Sequence, residues 1–155
     1  MSSLFDEILQ DSLAYIDPEI AVTFCLTGKE VDLNEISERL DLIPDKSKTP
    51  DDSTEAIKNP KTELPDYLEP CYLWEYTVPY EVCNDVSVRF EEMLMILKDK
   101  ENNINDLKEK FKLEVSFTVG IQAHHDPGNM PAVYLTEEII AFAASIGADI
   151  GFDMY

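Results

Sequence analysis

Strict alternation of apolar and polar residues is the clearest pattern along this chain. From Leu113 to Ala123 every odd position is apolar and nearly every even one is polar or glycine, which predicts a long strand with one buried face. Three shorter segments, 20 to 27, 72 to 78 and 148 to 154, repeat the pattern. Such alternation is typical of antiparallel sheets covered on one face, whereas the strands of a doubly covered parallel sheet are apolar throughout.

Helical periodicity predicts the elements that cover this sheet. Helices are expected near 33 to 41, 86 to 100 and 137 to 146, with a break at Asn102-Asn103 and a stop at Gly147. The residues expected to cap them are Asp32, Asp85 or Ser87, and Thr136. The sequence therefore predicts an α+β fold: a mainly antiparallel sheet of about four or five strands with helices packed on one face.

The remaining segments set the domain organisation. A length of 155 residues fits a single domain, assigned to residues 20–155, and residues 1–19 are expected to be an N-terminal extension that forms a peripheral helix. Five of the nine prolines fall between Pro44 and Pro70, which predicts a long loop, either a mobile insertion or a binding loop. Pro79 is expected at a sheet edge or at the end of a strand.

The charge balance limits the possible partners. Lys+Arg 12 against Asp+Glu 32 gives a formal net charge of -20, and residues 113 to 155 hold six acids and no lysine or arginine. Nucleic acid and anionic membrane are not expected as partners, because both are bound by clustered lysine and arginine. The negative field suits a basic protein partner, or solubility alone.

Three further features predict a cytoplasmic protein. Acids stand near the N-terminus where a signal peptide would carry positive charge, and no apolar run approaches the roughly 18 residues of a membrane span. Cys25, Cys71 and Cys83 are an odd number without a C-x-x-C motif, so we expect free thiols in a reducing compartment.

Candidate catalytic and metal-binding residues are few. His124 and His125 are adjacent at the end of a strand, so their side chains point to opposite sides and are poorly placed to share a metal. Glu75, Asp149 and Asp153 are expected on one side of the sheet, where a carboxylate cluster would suit a divalent cation or acid–base chemistry. No phosphate-binding loop or nucleophile motif is present. We therefore expect no catalytic residue, no metal ligand and no cofactor.

The uncovered face of the predicted sheet is the candidate binding surface. It is expected to contain no lysine or arginine, and this sign bias would dock a basic protein quickly and selectively. The residues assigned to partner binding are Glu75, Glu114, Ser116, Thr118, Asp149 and Asp153. The alternative is a face that is merely solvated.

An ordered set of motifs carries a family resemblance. The set comprises Phe24-x-Leu26-x-Gly28, Asp32-x-x-Glu35-Ile36-x-x-x-Leu40-x-Leu42-x-Pro44, the Trp74 strand, a long helical middle, and Leu135-Thr136-x-Glu138-x-Ile140-x-x-x-Ala144-x-x-Gly147-Ala148-x-Ile150-x-Phe152-Asp153-x-Tyr155. Over residues 20 to 155 the chain resembles the bacterial domain of unknown function 4279 family. The resemblance implies a small cytoplasmic domain of unassigned activity, some of whose relatives have been proposed as immunity proteins of toxin systems.

Three functional hypotheses follow. The first is a protein-binding module that masks a basic protein with its acidic face and the 44–70 loop, most concretely an immunity protein that occupies the phosphate-binding cleft of a toxin nuclease. The second is a metal-assisted enzyme that uses Asp149, Asp153 and Glu75 with His124 or His125. The third is a regulatory domain that binds a small ligand. The charge, the lack of catalytic motifs and the resemblance favour the first, and the sequence leaves the oligomeric state open.

Overall fold

The fold is built on one five-stranded sheet, and the strand that comes first in the described residues lies at its centre. The computed structural model describes residues 17–51, 70–124 and 127–155. The elements in chain order are β1 (Glu19–Gly28), α1 (Leu33–Leu40), β2 (Lys46–Lys48), β3 (Tyr72–Val82), α2 (Val86–Leu97), a 3-10 turn (Lys98–Lys100), α3 (Glu101–Phe111), β4 (Glu114–Gln122), a 3-10 turn (Pro127–Asn129), α4 (Glu137–Ser145) and β5 (Asp149–Met154). The strands form one sheet in the order β2-β3-β1-β4-β5. Neighbouring strands are antiparallel, except that β4 and β5 are parallel and are connected through α4.

One face of this sheet carries the core. The buried side chains of β1 and β4 on this face are Ile20, Val22, Phe24, Leu26, Val115, Phe117, Val119 and Ile121. The helices α1, α2, α3 and α4 supply the other wall of the same core, through residues that include Ile36, Phe90, Ile104 and Ile139. The predicted α+β class, with a mainly antiparallel sheet and helices on one face, is confirmed.

Aromatic rings join the sheet to the helices at the middle of the core. The Phe117 ring centroid lies 5.3 Å from that of Phe24 and 4.9 Å from that of Phe90. Trp74 meets Phe24 edge-on at 6.2 Å, and its indole N–H donates to the Ser37 hydroxyl at 3.0 Å. All four rings are fully buried, so this cluster ties three strands to two helices.

The helix ends follow the predicted capping chemistry. The side chains of Asp32, Asp85 and Thr136 each accept a backbone N–H in the first turn of α1, α2 and α4 respectively. Gly147 follows α4 with a φ of 62°, in the left-handed region that glycine adopts without strain. The predicted helix starts and the last stop are confirmed.

The predicted helix break was wrong by a few residues. The chain tightens into a 3-10 turn at Lys98–Lys100, and α3 already begins at Glu101, so Asn102 and Asn103 lie inside a helix. The Asn103 amide donates to the Arg39 carbonyl oxygen of α1 at 3.2 Å. This tertiary hydrogen bond offsets the weak helix propensity of asparagine.

The proline-rich segment is not loop throughout, which corrects the prediction for 44–70. Its first part forms β2, which pairs antiparallel with β3. Asp45 extends this edge, because its N–H donates to the Glu75 carbonyl oxygen at 2.8 Å and its carboxylate accepts the Thr77 N–H at 2.6 Å. A three-residue strand is too short for a periodic pattern to predict.

Two predicted features fall on parts of the chain that the structure does not describe. These are the peripheral helix of the N-terminal extension, within residues 1–16, and the part of the loop between 52 and 69. Among the helices of the described ranges, none combines the length and the apolar character that crossing a membrane requires.

A bulge in β3 changes which side chains face the core. The register runs from Ile20 opposite Glu81 to Val22 opposite Val78, so two residues of β3 stand opposite one of β1. Pro79 lies in this bulge, and β2 pairs with residues 73 to 75, so among the described strands β3 has no outer neighbour at Pro79. At Pro79, β3 is therefore an edge strand, as predicted. The strand does not end at Pro79 but continues to Val82.

A buried arginine holds the bulge. Arg89 of α2 is 3% exposed, and its Nε donates to the Ile20 carbonyl oxygen at 3.2 Å while its Nη2 donates to the Pro79 carbonyl oxygen. Its Nη1 pairs with the carboxylates of Glu81 and Glu92, both of which remain largely exposed. One guanidinium thus satisfies two backbone carbonyls on opposite sides of the irregularity.

Candidate functional site

The sheet register arranges one surface in rows. We use the term open face for the side of the sheet away from the core, because directly opposed residues of paired strands share a face. Its residues include Thr23, Cys25, Thr27, Glu75, Thr77, Glu114, Ser116, Thr118, Asp149 and Asp153. All six residues predicted to bind a partner therefore lie on this one surface.

Two rows cross the centre of the open face. The first consists of Glu75, Cys25, Ser116 and Asp149, one residue from each of β3, β1, β4 and β5. The second consists of Thr77, Thr23, Thr118 and Gly151, and the hydroxyl oxygens of Thr23 and Thr77 are 3.1 Å apart. The open face thus has a floor of small side chains, with Glu75, Glu114, Asp149 and Asp153 around its rim.

The sheet keeps the predicted carboxylate trio apart. Glu75 and Asp149 share a row but are three strand spacings, about 14 Å, apart, and Asp149 and Asp153 are about 13 Å apart along one strand. Ligands of one divalent cation lie within roughly 2 to 2.6 Å of it. The predicted trio therefore does not converge on one ion, and the described residues contain no group of three or more His, Cys, Asp or Glu that could hold a metal ion.

The histidine motif lies beyond one end of β4. His124 has a φ of 55°, and its Nε2 is 3.5 Å from Glu19 Oε2. His125 and Asp126 lie outside the described residues. In the part of the chain that is described, His124 pairs with Glu19 of β1 and does not join the predicted carboxylates.

The open face is not free of lysine, which corrects the sequence prediction. Lys46 lies opposite Glu75 and Lys48 lies opposite Leu73, so β2 brings two cations to the β3 edge of the face. A short strand in which lysine alternates with a small polar residue is typical of a protected sheet edge. The negative field of the open face is therefore concentrated towards β4 and β5.

Cys25 lies in the middle of the open face. Burial, together with the Glu75 carboxylate and Cys71, raises the pKa of its thiol to about 12, although a hydrogen bond with Ser116 acts in the opposite direction. The thiol stays protonated at neutral pH and is a poor nucleophile, because the thiolate is the reactive form. At neutral pH the centre of the open face therefore carries no charge and no reactive thiolate.

We expect Cys25 to resist alkylation while the protein is folded. At about pH 8.5, iodoacetamide should modify Cys25 at least about tenfold more slowly in the folded chain than in urea, since little thiolate forms.

Because the pKa of Cys25 is raised on folding, the unfolded state loses this proton first, and stability should fall as pH rises from the ordinary thiol range of about 8.5 towards 12. Peptide mass spectrometry measures the first effect, and Cys25→Ser should remove that part of the alkaline destabilisation. Equal alkylation rates with and without urea would contradict the assignment.

Tyr80 covers one end of the open face. A side chain at Gly120 would collide with the Tyr80 hydroxyl and ring, so glycine is needed there for Tyr80 to pack this closely against β4. Burial raises the pKa of Tyr80, and Tyr155, Asp153 and Glu19 add to the effect. This end of the face thus combines a tyrosine ring with carboxylates.

A groove of about 900 Å³ opens at the other end of the face. It is lined by Thr27, Gly28, Lys29, Glu30, Pro70, Cys71, Lys110, Phe111, Lys112 and Glu114. The lining carries both signs of charge, and the Lys110 ammonium is held by the Glu35 carboxylate at 2.6 Å. The groove gives the small-ligand hypothesis a location, but its mixed charge selects neither an anion nor a cation.

Sequence reasoning does not identify three residues that are important to this geometry. The loop predicted for 44–70 contains Lys46 and Lys48, and the helix predicted near 86 to 100 contains Arg89 without giving it a role. The lysines carry the signal of a charged edge strand, whereas Arg89 has no local signal, because its acceptors are carbonyl groups of distant strands.

Comparison with known proteins gives a family match without an activity. The family model described as "Domain of unknown function (DUF4279)" matches residues 18–155, which agrees with the resemblance found in the sequence. The searches of curated proteins and of solved structures gave no significant match. The matched residues span every strand and helix described above.

Proposed function

This chain belongs to the DUF4279 family of domains of unknown function, and we propose that it is a protein-binding module whose open face masks a basic protein. The observation that carries this proposal is the placement of Glu114, Asp149 and Asp153 around a floor of small, uncharged side chains. In its most concrete form, the module is an immunity protein that neutralises a toxin nuclease by occupying its phosphate-binding cleft.

The shape of the open face suits contact with another protein. Side chains such as Thr23, Cys25, Ser116 and Thr118 are short, so the backbone or side chains of a partner can approach the sheet closely across its centre. The rim carboxylates are spread out, since Asp149 and Asp153 are about 13 Å apart and Glu114 and Asp149 are about 8 Å apart, so each can pair with a separate lysine or arginine. A nuclease cleft presents several such cations, because it must neutralise successive phosphates.

The two lysines of β2 orient the partner. Lys46 stands opposite Glu75 and weakens the field on that side, whereas the residues from 113 to 155 contain no lysine or arginine. The basic surface of the partner is therefore placed over β4 and β5. Reversing Glu75 should weaken binding less than reversing Asp149 or Asp153.

A charge-reversal experiment tests the proposal. The face variant carries Glu114→Lys, Asp149→Lys and Asp153→Lys. A control variant carries Glu38→Lys, Glu91→Lys and Glu109→Lys, which reverse three exposed acids on the helical side and shift the net charge equally. In affinity capture from native lysate at low and high salt, wild type and control should retain a basic protein that the face variant loses. Since such charges act mainly on encounter, the on-rate of the purified partner should fall at least about tenfold and lose most of its salt dependence in the face variant alone.

Two further measurements make the outcome decisive. The thermal midpoints of both variants should stay close to wild type, because exposed substitutions usually change stability by within about 0.5 kcal/mol each. If the captured partner is a nuclease, wild-type protein should suppress its cleavage of nucleic acid and the face variant should not. Equal losses of on-rate in face and control variants would show that overall charge, and not the open face, drives association.

A further inference from the structure

Within the described residues, β5 pairs with another strand on one side of its backbone only. In the described sheet it is the last strand and pairs with β4 alone. The Tyr155 N–H donates to the Ile121 carbonyl oxygen at 2.9 Å, and the Tyr155 carbonyl oxygen accepts the Ala123 N–H at 3.0 Å. Backbone groups alternate in direction along a strand. The N–H and C=O groups that point outward therefore belong to Ile150, Phe152 and Met154.

The two edges of the sheet differ in their protection. At one edge, β2 has three residues, two of them lysine, and it lies between Pro44 and Pro50. Short length, lysine and proline are the usual features that prevent an edge strand from pairing with another chain. At the other edge, β5 has six residues and contains neither lysine nor proline. Only the second edge retains the capacity to accept another strand.

The side chains of β5 specify what that strand should be. Asp149 and Asp153 lie on the open face, with Gly151 between them, so this side attracts cations and leaves space between them. On the other side Phe152 is 37% exposed and Met154 is 62% exposed, so apolar surface remains uncovered. A complementary strand carries cations four residues apart on one side and apolar residues on the other.

We propose that the outer edge of β5 binds an extended basic segment of the partner, which adds to the sheet as a sixth strand. In this segment lysine or arginine residues four positions apart face Asp149 and Asp153, and the alternate apolar residues cover Phe152 and Met154. The inference rests on the proposed function and states how the basic partner engages the acidic half of the open face. Main-chain hydrogen bonds supply affinity in this mode, and the alternate side chains supply specificity.

A second copy of this chain fits the edge poorly. Each chain carries a formal net charge of -20, so two copies repel each other. Antiparallel pairing of two β5 strands centred on Gly151 would also place Asp149 of one copy opposite Asp153 of the other, and like charges directly opposite are destabilising. Charge complementarity therefore selects a basic segment.

A blocked synthetic peptide with the sequence Val-Lys-Val-Thr-Val-Lys-Val tests the proposal, because with its lysines opposite Asp149 and Asp153 it places valines opposite Phe152 and Met154. Added to the full-length protein, it should slow the hydrogen exchange of the outward amides of Ile150, Phe152 and Met154 at least about tenfold. The amides of Gly151 and Asp153, which already point to β4, should change little. This alternating pattern, read by nuclear magnetic resonance, is specific to strand addition and would not arise from contact with side chains alone.

Two controls separate the backbone contribution from the charge contribution. A peptide N-methylated at the residues whose N–H groups face β5 keeps its charge but cannot complete the ladder, so it should bind at least about tenfold more weakly. In the protein, Met154→Pro removes one outward N–H without removing a hydrogen bond to β4, and it should weaken the unmodified peptide similarly.

The possible outcomes distinguish this inference from the proposed function. Equal binding of the N-methylated peptide, or shifts at Thr23 and Thr118 without protection on β5, would overturn the edge inference while the open-face proposal stands. Protection of the β5 amides without peptide, together with a dimeric mass in sedimentation, would assign the edge to a second copy and also overturn it. Protection of the predicted amides by the unmodified peptide alone supports the inference, whatever the charge-reversal experiment shows for the open face.

Discussion

Replacing Phe117 with alanine is expected to lower the free energy of unfolding by about 3 to 5 kcal/mol, the usual range for truncating a buried phenylalanine. The ring is fully buried and contacts Phe24 of β1 and Phe90 of α2, at centroid distances of 5.3 and 4.9 Å. These neighbours belong to two different layers, so neither can close the cavity without moving a strand or a helix. Domains of this size are stabilised by about 5 to 15 kcal/mol in total.

Urea denaturation followed by circular dichroism measures this loss, and the thermal midpoint should fall by roughly 6 to 20 °C. Phe152→Ala is the matched control, because the same atoms are removed from the edge strand, where the ring is 37% exposed. Phe152→Ala should lower the free energy of unfolding by less than half as much as Phe117→Ala. Similar losses in the two variants would mean that the core is not centred on Phe117.

Replacing Arg89 with alanine should lower the free energy of unfolding by about 2 to 5 kcal/mol. The loss comes from hydrogen bonds, because much less apolar packing is removed than in Phe117→Ala. The carbonyl oxygens of Ile20 and Pro79 would each lose a charged donor, and an unsatisfied buried polar group costs about 1 to 3 kcal/mol. Glu81 and Glu92 are exposed enough to be hydrated by water, so they add little. Arg89→Lys should recover only part of the loss, because an ammonium cannot reproduce the planar fork of donors.

The other arginine of the chain provides the control. Arg39 pairs with Asp106 at 3.2 Å on the surface, and exposed pairs of this kind contribute about 0 to 1 kcal/mol. In urea denaturation, Arg89→Ala should therefore lower the free energy of unfolding clearly more than Arg39→Ala does. If Arg89→Met were as stable as wild type, the bulge would not depend on the guanidinium.

The strand faces could be predicted because their alternation is locally complete. In β1 and β4 each large buried residue follows a polar or small one, so the sequence alone identifies the core face. In β3 the same reasoning fails beyond Val78, because the bulge at Pro79 breaks the alternation, and Val82 is 62% exposed. The signal for β2 is weaker still, since three polar residues carry no periodicity.

The composition of the open face could be predicted only in part. The spacing of Glu114 and Ser116 along one strand is enough to predict that they share a face. No local pattern predicts that Cys25 lies between Glu75 and Ser116, because this position depends on the register between strands that are distant in sequence. The same holds for Lys46, whose position opposite Glu75 overturned the expectation of a face without lysine.

The central position of β1 has a consequence for synthesis on the ribosome. Its partners are β3 and β4, and its last residue in the ladder with β4, Thr27, pairs with Glu114. At roughly 5 to 20 residues per second, the emerging chain therefore carries an apolar strand for several seconds before both neighbours exist. Contacts of such large sequence separation also slow folding, because loop closure must precede the gain from pairing. Among the described strands, β1 thus has the longest interval of synthesis between its own appearance and the completion of its pairing.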